Sequence, residues 1–294
     1  MARCHLNPRF TVTKFTTYLS FVRFSHSVFA LPFALTGALL AWRDHPFASS
    51  QLAWIVVCML TARSAAMGFN RLADARHDAL NPRTSMREIP RGAMTRREAA
   101  IFVIVSSVVF IYGASRLNTL CLVLAPVALA IVFWYSLAKR YTAYTQLFLG
   151  LAMAVAPVGG WIAAGGGAGA DPWLLGLAIG LWVGGFDILY ACQDLEFDRG
   201  HGLFSIPTRF GVRRSILLSR IMHVAAVSAM AALWRVGDLP SLYLVGVGIV
   251  AVLLTYEQSL VSDDDLSQVK KAFDLNGYVG IVYFGATALS LYFR

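Results

Sequence analysis

The chain has 294 residues, of which 57% are hydrophobic and 14% charged, and its formal net charge at neutral pH is +9. A soluble domain of ordinary composition has about a quarter of its residues charged, so this composition excludes that class. Several apolar stretches approach the roughly 20 residues that cross a bilayer. We therefore expect an all-helical polytopic membrane protein that has membrane lipid as a partner. Its basic residues report topology, and no nucleic-acid partner is expected.

Nine membrane spans are predicted around a central cavity, in a single domain over residues 1–294 that opens with a cytoplasmic segment over 1–20. The basic start lacks the short apolar region and cleavage site of a removed signal peptide. The four cysteines have no CxxC spacing, so neither disulfides nor zinc is expected. In chain order the spans cover residues 21–42, 51–69, 99–114, 118–138, 144–164, 173–193, 215–234, 240–258 and 273–293.

The distribution of basic residues predicts the orientation. With alternating loops, only Arg43, Arg116, Arg235 and Arg294 of the 25 Lys and Arg residues fall on the side opposite the N-terminus. The positive-inside rule therefore places the N-terminus in the cytoplasm and the C-terminus outside. Three long polar loops, over 70–98, 194–214 and 258–271, lie on the predicted cytoplasmic side. We expect functional residues on that cytoplasmic face. We expect the membrane to be a bacterial inner membrane.

Two acidic pairs dominate these loops. Asp74 and Asp78 follow the second span, and Asp194 and Asp198 follow the sixth, each pair with i, i+4 spacing. On a helix both carboxylates of a pair project from one face and repel each other. Each pair is followed by a basic, proline-containing segment, which suggests a weak internal duplication of about 120 residues. The repeated arrangement requires a compensating cation.

Magnesium is the cation that best suits these carboxylates. Mg²⁺ takes oxygen ligands and is usually held by one or two carboxylates together with substrate phosphates. Asn70 could add a neutral oxygen ligand to Asp74, Asp78, Asp194 and Asp198. Arginine suits phosphate through its planar fork of donors, and seven arginines lie between Asn70 and Glu98. The alternative, without a binding function, is that these aspartates are solvated loop residues paired with arginine.

The segments NRLADARHD (70–78) and YACQDLEFDRGHGLFSIPTRFG (190–211) resemble the two motifs of the UbiA superfamily of intramembrane aromatic prenyltransferases. Further similarity lies in RFSHSVFALPFAL, NPRTSMREIPRG and YSLAKRYTAYTQLFLG, so the resemblance runs from about Arg23 to Gly211. It is greatest to 4-hydroxybenzoate polyprenyltransferases and their menaquinone-pathway relatives. The first motif carries Arg71 where other members have a third aspartate, which leaves the number of metal ions open.

The resemblance implies Mg²⁺-dependent transfer of a prenyl group from a polyprenyl diphosphate to an aromatic acceptor, in ubiquinone or menaquinone biosynthesis, with no obligatory protein partner. It assigns the metal and diphosphate to Asn70 and the four aspartates. Basic residues of the pattern would contact the diphosphate or the acceptor carboxylate: Arg71, Lys139, Arg140 and Arg199. Tyr135 and Tyr190 are the aromatic residues predicted to stabilise the prenyl cation.

Asp187 lies inside the sixth span, seven residues before Asp194 on the same helix face. An acidic residue within a span is a functional hypothesis by default. It could accept the proton that the aromatic ring loses or hold the acceptor hydroxyl. Alternatively it could form a structural hydrogen bond to His26, Arg63 or Asn70. For His26 we expect a packing role.

Other functions remain open. The same chemistry could serve haem, a tetrapyrrole, homogentisate or a lipid acceptor. A cation-coupled secondary transporter would also combine acidic and basic residues, but it predicts them near the bilayer midplane on broken helices. A soluble isoprenyl synthase fits the acidic motifs but not nine spans.

Overall fold

The computed structural model describes residues 14–22 and 27–293, and over these ranges it contains helices, turns and loops without strands. The helices are, in chain order, α1 Lys14–Phe21, α2 Ser27–Ala41, α3 Ser49–Leu80, α4 Arg96–Leu117, α5 Thr119–Ala138, α6 Thr145–Ala163, α7 Asp171–Ala191, α8 Leu195–Gly200, α9 Ile206–Phe210, α10 Val212–Val236, α11 Leu242–Ser259 and α12 Val269–Tyr292. A 3₁₀ turn joins α7 to α8. Arg23, His26 and the basic start of the chain lie outside the described residues.

Seven helices among the described residues are long and apolar enough to cross a membrane. They are α3, α4, α5, α6, α10, α11 and the continuous segment Asp171–Gly200, which joins α7 to α8. Two further helices occupy the first and last predicted spans. In α2 the apolar stretch Leu31–Ala41 is shorter, and α12 carries Lys270, Lys271 and Asp274 near its start. The all-helical membrane fold is confirmed, whereas the number of nine spans and the orientation of the termini stay predictions.

The main core lies where α2, α6, α7, α10, α11 and α12 meet. The backbones of α2 and α6 approach very closely, since a Cβ atom at Gly160 would collide with the carbonyl of Ala34, and one at Gly37 with that of Pro157. Trp182 of α7 is fully buried and donates a 2.6 Å hydrogen bond to Asn276 of α12. The core is thus held together by direct backbone contact between α2 and α6 and by a hydrogen bond between α7 and α12.

The helix α3 is unusually long. Its 32 residues span about 48 Å, which exceeds the ~30 Å hydrocarbon thickness of a bilayer. Its final turns, which carry Asp74 and Asp78, are nevertheless buried. Residues 81–95 fold over them, and Thr84 donates a hydrogen bond of 3.2 Å to the carbonyl of Asp78. The aspartates are therefore enclosed by protein and not by lipid.

Residues 201–211 of the second polar loop dock on the turn between α5 and α6. The amide of Phe204 donates to the carbonyl of Lys139 at 2.8 Å, and the amide of Ile206 donates to the buried side chain of Gln146 at 3.1 Å. Gly202 and Gly211 adopt positive φ angles of 66° and 78°, which favour glycine. The loop that follows α7 therefore contacts the end of α5 and the start of α6.

Candidate active site

Asp74 is the most enclosed of the four motif aspartates, with 2% of its surface exposed. Lys139 approaches one carboxylate oxygen at 2.7 Å, and Arg140 approaches the other at 3.1 Å. Asn70, one turn earlier on α3, donates to the same carboxylate at 3.3 Å. Both cations follow directly after α5, so the end of α5 neutralises the end of α3.

Asp78 has a cation of its own. Nη1 of Arg87 lies 2.7 and 2.9 Å from its two carboxylate oxygens. Arg87 belongs to the segment 81–95 that folds over α3, so this ion pair fastens the segment to the helix. A buried carboxylate without such a partner would cost several kcal/mol.

Asp194 is paired across the site. It lies in the 3₁₀ turn after α7, and Nε of Arg83 donates to it at 3.0 Å. Arg83 also donates to the hydroxyl of Tyr190 at 3.0 Å, and its guanidinium lies over that ring. The pKa of Arg83 lies above its ordinary value: burial lowers it, but the carboxylate of Asp194 and then Tyr190 raise it by more. The segment after α3 thereby contacts both aspartate motifs.

Asp198 and Arg199 occupy the short helix α8. Asp198 is half-buried, and Asp194 and Lys139 are the charged groups that act on it most strongly. Arg199 is exposed and makes no hydrogen bond or ion pair to any other described residue. The structure therefore gathers four aspartates at the meeting point of α3, α5 and α7, and leaves Arg199 at the edge of this group.

A cavity of about 1450 Å³ lies in the helical bundle beside this group of aspartates, none of which lines it directly. Asn70, Arg71 and Arg87 line it near the aspartates, and Asp187, Tyr135 and Tyr190 line it from α5 and α7. The remaining wall is mostly apolar and reaches Ile55 at the far end of α3. Residues 55 to 70 of a helix span about 22 Å, so the cavity crosses much of the bundle.

Asp187 faces this cavity and is half-buried. Within the described residues it forms no hydrogen bond to Arg63 or Asn70, and His26 lies outside them. Arg63 lines the same cavity, and its buried Nε has no hydrogen-bond partner among the described residues. The cavity is therefore lined by the guanidinium of Arg63 and by the carboxylate of Asp187, neither of which is paired within the described part of the protein; Asp274, an exposed residue near the start of α12, also lines it.

No three carboxylate, imidazole or thiol groups of the described residues lie close enough to form a metal site from protein ligands alone. Each aspartate instead offers its own carboxylate oxygens as ligands, and each of these carboxylates also has a basic side chain nearby. Such a donor set fits Mg²⁺, which usually completes its coordination with water and substrate phosphate. The predicted ligands Asn70, Asp74, Asp78, Asp194 and Asp198 remain a proposal on this basis.

Sequence reasoning did not identify Arg83 and Arg87 as the partners of the aspartates. It recognised only that the loop is basic. The available signal was their own i, i+4 spacing in the string NPRTSMREIPRG, which repeats the spacing of Asp74 and Asp78. Spacing alone could not tell which arginine meets which carboxylate, because those contacts join segments up to 111 residues apart.

The chain is similar to known proteins in sequence and in fold. The model of the UbiA prenyltransferase family matches residues 30–282. A 4-hydroxybenzoate octaprenyltransferase from Citrobacter koseri is 32% identical over 240 residues, which cover 81% of this chain and 82% of that protein.

Two solved structures share the fold. An apo UbiA homolog from Aeropyrum pernix is 35% identical, with a TM-score of 0.83 and coverage of 90% of this chain and 97% of that one. A UbiA homolog from Archaeoglobus fulgidus bound to GPP and Mg²⁺ is 20% identical, with a TM-score of 0.70 and coverage of 93% and 99%.

The ion pair of Arg87 and Asp78 predicts a measurable stability difference within the segment 81–95. Arg87→Gln should lower the free energy of unfolding by about 1–3 kcal/mol, because it leaves a buried carboxylate without its cation. Arg91→Gln is the matched control, since Arg91 is exposed in the same segment and should change stability by less than ~0.5 kcal/mol. Thermal unfolding of the purified protein in detergent measures both, and equal melting temperatures would contradict the assignment.

Proposed function

Because the chain belongs to the UbiA prenyltransferase family, we propose that it transfers a polyprenyl group from a polyprenyl diphosphate to 4-hydroxybenzoate. The chain is a prenyltransferase and an integral membrane protein. The finer proposal places the reaction in ubiquinone or menaquinone biosynthesis, in a bacterial inner membrane, with the site facing the cytoplasm. The 4-hydroxybenzoate acceptor is taken from the name of the Citrobacter koseri relative.

One observation carries the proposal: four aspartates and the basic side chains around them lie beside a long apolar cavity. Five cationic side chains, Arg71, Arg83, Arg87, Lys139 and Arg140, accompany these carboxylates. A diphosphate requires both the cations and metal-binding carboxylates, whereas a polyprenyl tail requires an apolar channel. One substrate that combines both chemistries is an allylic polyprenyl diphosphate.

We propose that Asn70, Asp74, Asp78, Asp194 and Asp198 hold Mg²⁺, which would neutralise charge that develops on the leaving diphosphate. The residues of the chain have separate tasks. Lys139 and Arg140 lie within hydrogen-bond distance of Asp74, so they are also placed to contact phosphate oxygens. Arg83 and Arg87 approach the same region from the segment 81–95.

Arg63 and Asp187 suit the acceptor. In an apolar cavity, a guanidinium without a protein partner is a site for a carboxylate, since Arg binds carboxylates through two parallel donors. Asp187 lines the same cavity from α7 and can accept a hydrogen bond from a phenolic hydroxyl. The two groups therefore have the chemistry that the two ends of 4-hydroxybenzoate require, a cation for its carboxylate and an acceptor for its hydroxyl.

The proposed reaction breaks the bond between the donor's first carbon and its diphosphate oxygen, and the electron pair leaves with the diphosphate. The allylic carbon then bonds to an acceptor ring carbon that the hydroxyl activates, and that ring carbon loses its proton, for which we assign Asp187 as the acceptor. Water would capture the cation, so the apolar wall serves to exclude it. Tyr135 and Tyr190 line the cavity, and an aromatic ring beside the allylic carbon would stabilise its positive charge.

The transporter alternative is disfavoured by the positions of the acidic residues. Secondary transporters bind ions and substrates near the midplane on interrupted helices. Here Asp74 and Asp78 occupy the last turns of an uninterrupted α3, and Asp194 and Asp198 follow the end of α7. The carboxylates thus lie at helix ends, next to the mouth of the cavity.

Replacement of Asp74 tests the diphosphate site. Membranes containing the protein, incubated with radiolabelled geranyl diphosphate, Mg²⁺ and 4-hydroxybenzoate, should yield a prenylated acid, and EDTA should abolish it. Asp74→Ala should reduce the rate by at least a hundredfold, since the leaving group loses charge stabilisation. Asp264→Ala is the matched control, because Asp264 is exposed in the loop after α11. Unchanged activity of Asp74→Ala would refute the site, and absence of product with any aromatic acid would refute the function.

Arg63 should determine preference for a carboxylate on the acceptor. Arg63→Met should raise the KM for 4-hydroxybenzoate by about tenfold or more, which corresponds to the loss of one charged hydrogen bond. The KM for the donor should stay constant, because Arg63 lies away from the aspartates. Initial rates with each substrate varied in turn measure the two constants. A rise in both, or in the donor KM alone, would contradict an acceptor site at Arg63.

The tail of the donor should run past Ala128. Ala128 lines the cavity on α5, seven residues or about 10 Å from Tyr135. Ala128→Phe should lower kcat/KM for an octaprenyl donor at least tenfold more than for geranyl diphosphate, whose short tail need not pass this level. Ala130→Phe is the matched control, since Ala130 lies on the exposed face of the same helix. An equal loss for both donors would contradict this path.

A further inference from the structure

Three buried polar side chains form a chain of hydrogen bonds behind α7, away from the cavity. Gln258 of α11 donates from its amide nitrogen to Ser219 Oγ at 2.8 Å and faces His223 Nδ1 at 3.0 Å. Ser219 donates to the carbonyl of Gly185 at 2.7 Å, and His223 Nε2 contacts the carbonyl of Trp182 at 3.2 Å. A carbonyl only accepts, so His223 carries its hydrogen on Nε2 and its Nδ1 accepts from Gln258.

The two carbonyls belong to one turn of α7 that is intrinsically weak. Gly184 and Gly185 lie within it, and glycine in a helix interior costs about 1 kcal/mol relative to alanine. The glycine at 185 is required there, since a Cβ atom would lie 2.5 Å from the imidazole of His223. The close approach of α10 therefore requires glycine in this turn, which weakens the helix. The same approach brings the side chains of Ser219 and His223 within hydrogen-bond distance of the turn.

Residues of the proposed acceptor site follow this turn directly. Phe186 and Asp187 follow Gly185 directly, and both line the cavity. Trp182 packs edge-on against Phe186 with ring centroids 6.4 Å apart, and its indole nitrogen is held by Asn276. Displacement of this turn would move Asp187 and the aromatic wall beside it.

Burial of three polar side chains inside an apolar bundle costs free energy that hydrogen bonds only offset. Ser219, His223 and Gln258 are 0%, 3% and 8% exposed. They do not line the cavity, so they contact no substrate there. An apolar trio would pack α10 and α11 against α7 equally well but would leave the two carbonyls without lateral partners.

We propose that Ser219, His223 and Gln258 are positioning residues, which hold the Trp182–Gly185 turn of α7 and thereby fix the orientation of Asp187 toward the acceptor. The effect on the acceptor rests on the proposed function, whereas the effect on the turn does not. The network acts on the acceptor side of the cavity and leaves the diphosphate side unaffected, because the partners of the four aspartates lie elsewhere.

The experiment compares wild type with Ser219→Ala and Gln258→Met in lipid nanodiscs. The first reading is amide hydrogen exchange of peptides covering residues 182–190, followed by mass spectrometry. Each variant should exchange at least fivefold faster in this segment than wild type, while peptides of α3 remain unchanged. Ser228→Ala is the matched control on α10, because its hydroxyl is exposed and bonds only the carbonyl of Val224 on its own helix.

The second reading is the partition of geranyl diphosphate between transfer to 4-hydroxybenzoate and hydrolysis to the prenyl alcohol. Both network variants should raise the KM for the acceptor several-fold and increase the hydrolysed fraction, with the KM for the donor unchanged. A role in stability alone would lower the melting temperature without moving the KM ratio or the partition, and that result would overturn the positioning role.

The two readings separate the proposals. Unchanged hydrogen exchange in residues 182–190 would refute the network's hold on α7, whatever the activity. If wild type transfers no prenyl group to any aromatic acid but the exchange changes as expected, the proposed function fails while the hold on the turn stands.

Discussion

The neutralisation of carboxylates at helix ends is the constraint on which the rest of the structure depends. Asp74, Asp78 and Asp194 lie in places where little water reaches them, and each meets a cation from another segment. Exposed ion pairs contribute little, but a buried carboxylate that loses its partner is strongly destabilising. The loop after α3 and the end of α5 must therefore fold onto α3 and α7, and this requirement brings four distant parts of the chain together.

That convergence also determines where the cavity is polar. The charged groups occupy one end, and the walls beyond Tyr135 are almost entirely apolar. A ligand that binds there must carry concentrated negative charge at one end and a long apolar body behind it. Apolar walls disfavour water in the interior, and a reaction through a carbocation requires that water be excluded from the reacting carbon. The charged groups at the helix ends and the apolar walls of the cavity are thus two results of one arrangement.

The sequence predicted those features that depend on local pattern. Within the described residues a helix lies in each of the nine predicted spans, and the i, i+4 spacing placed Asp74 and Asp78 on one helix face of α3. Partner choice was not predictable, because Arg83 and Asp194 are 111 residues apart and many arginines had the right charge. Arg199 illustrates the limit, since its proximity in sequence to Asp198 suggested a role that its exposed position does not support by any contact.

Gly184 and Gly185 show why local pattern also failed to reveal the network behind α7. Read alone, they are weak points in an apolar helix. In the structure Gly184 admits Met222 and Gln146, and Gly185 admits His223, so the loss of intrinsic helix stability permits close packing. The carbonyls of that turn then gain partners from α10, which Gln258 of α11 holds in place. A turn with low intrinsic stability is thus held in position by residues on two other helices. The position of Asp187, which follows this turn, then depends on the same residues.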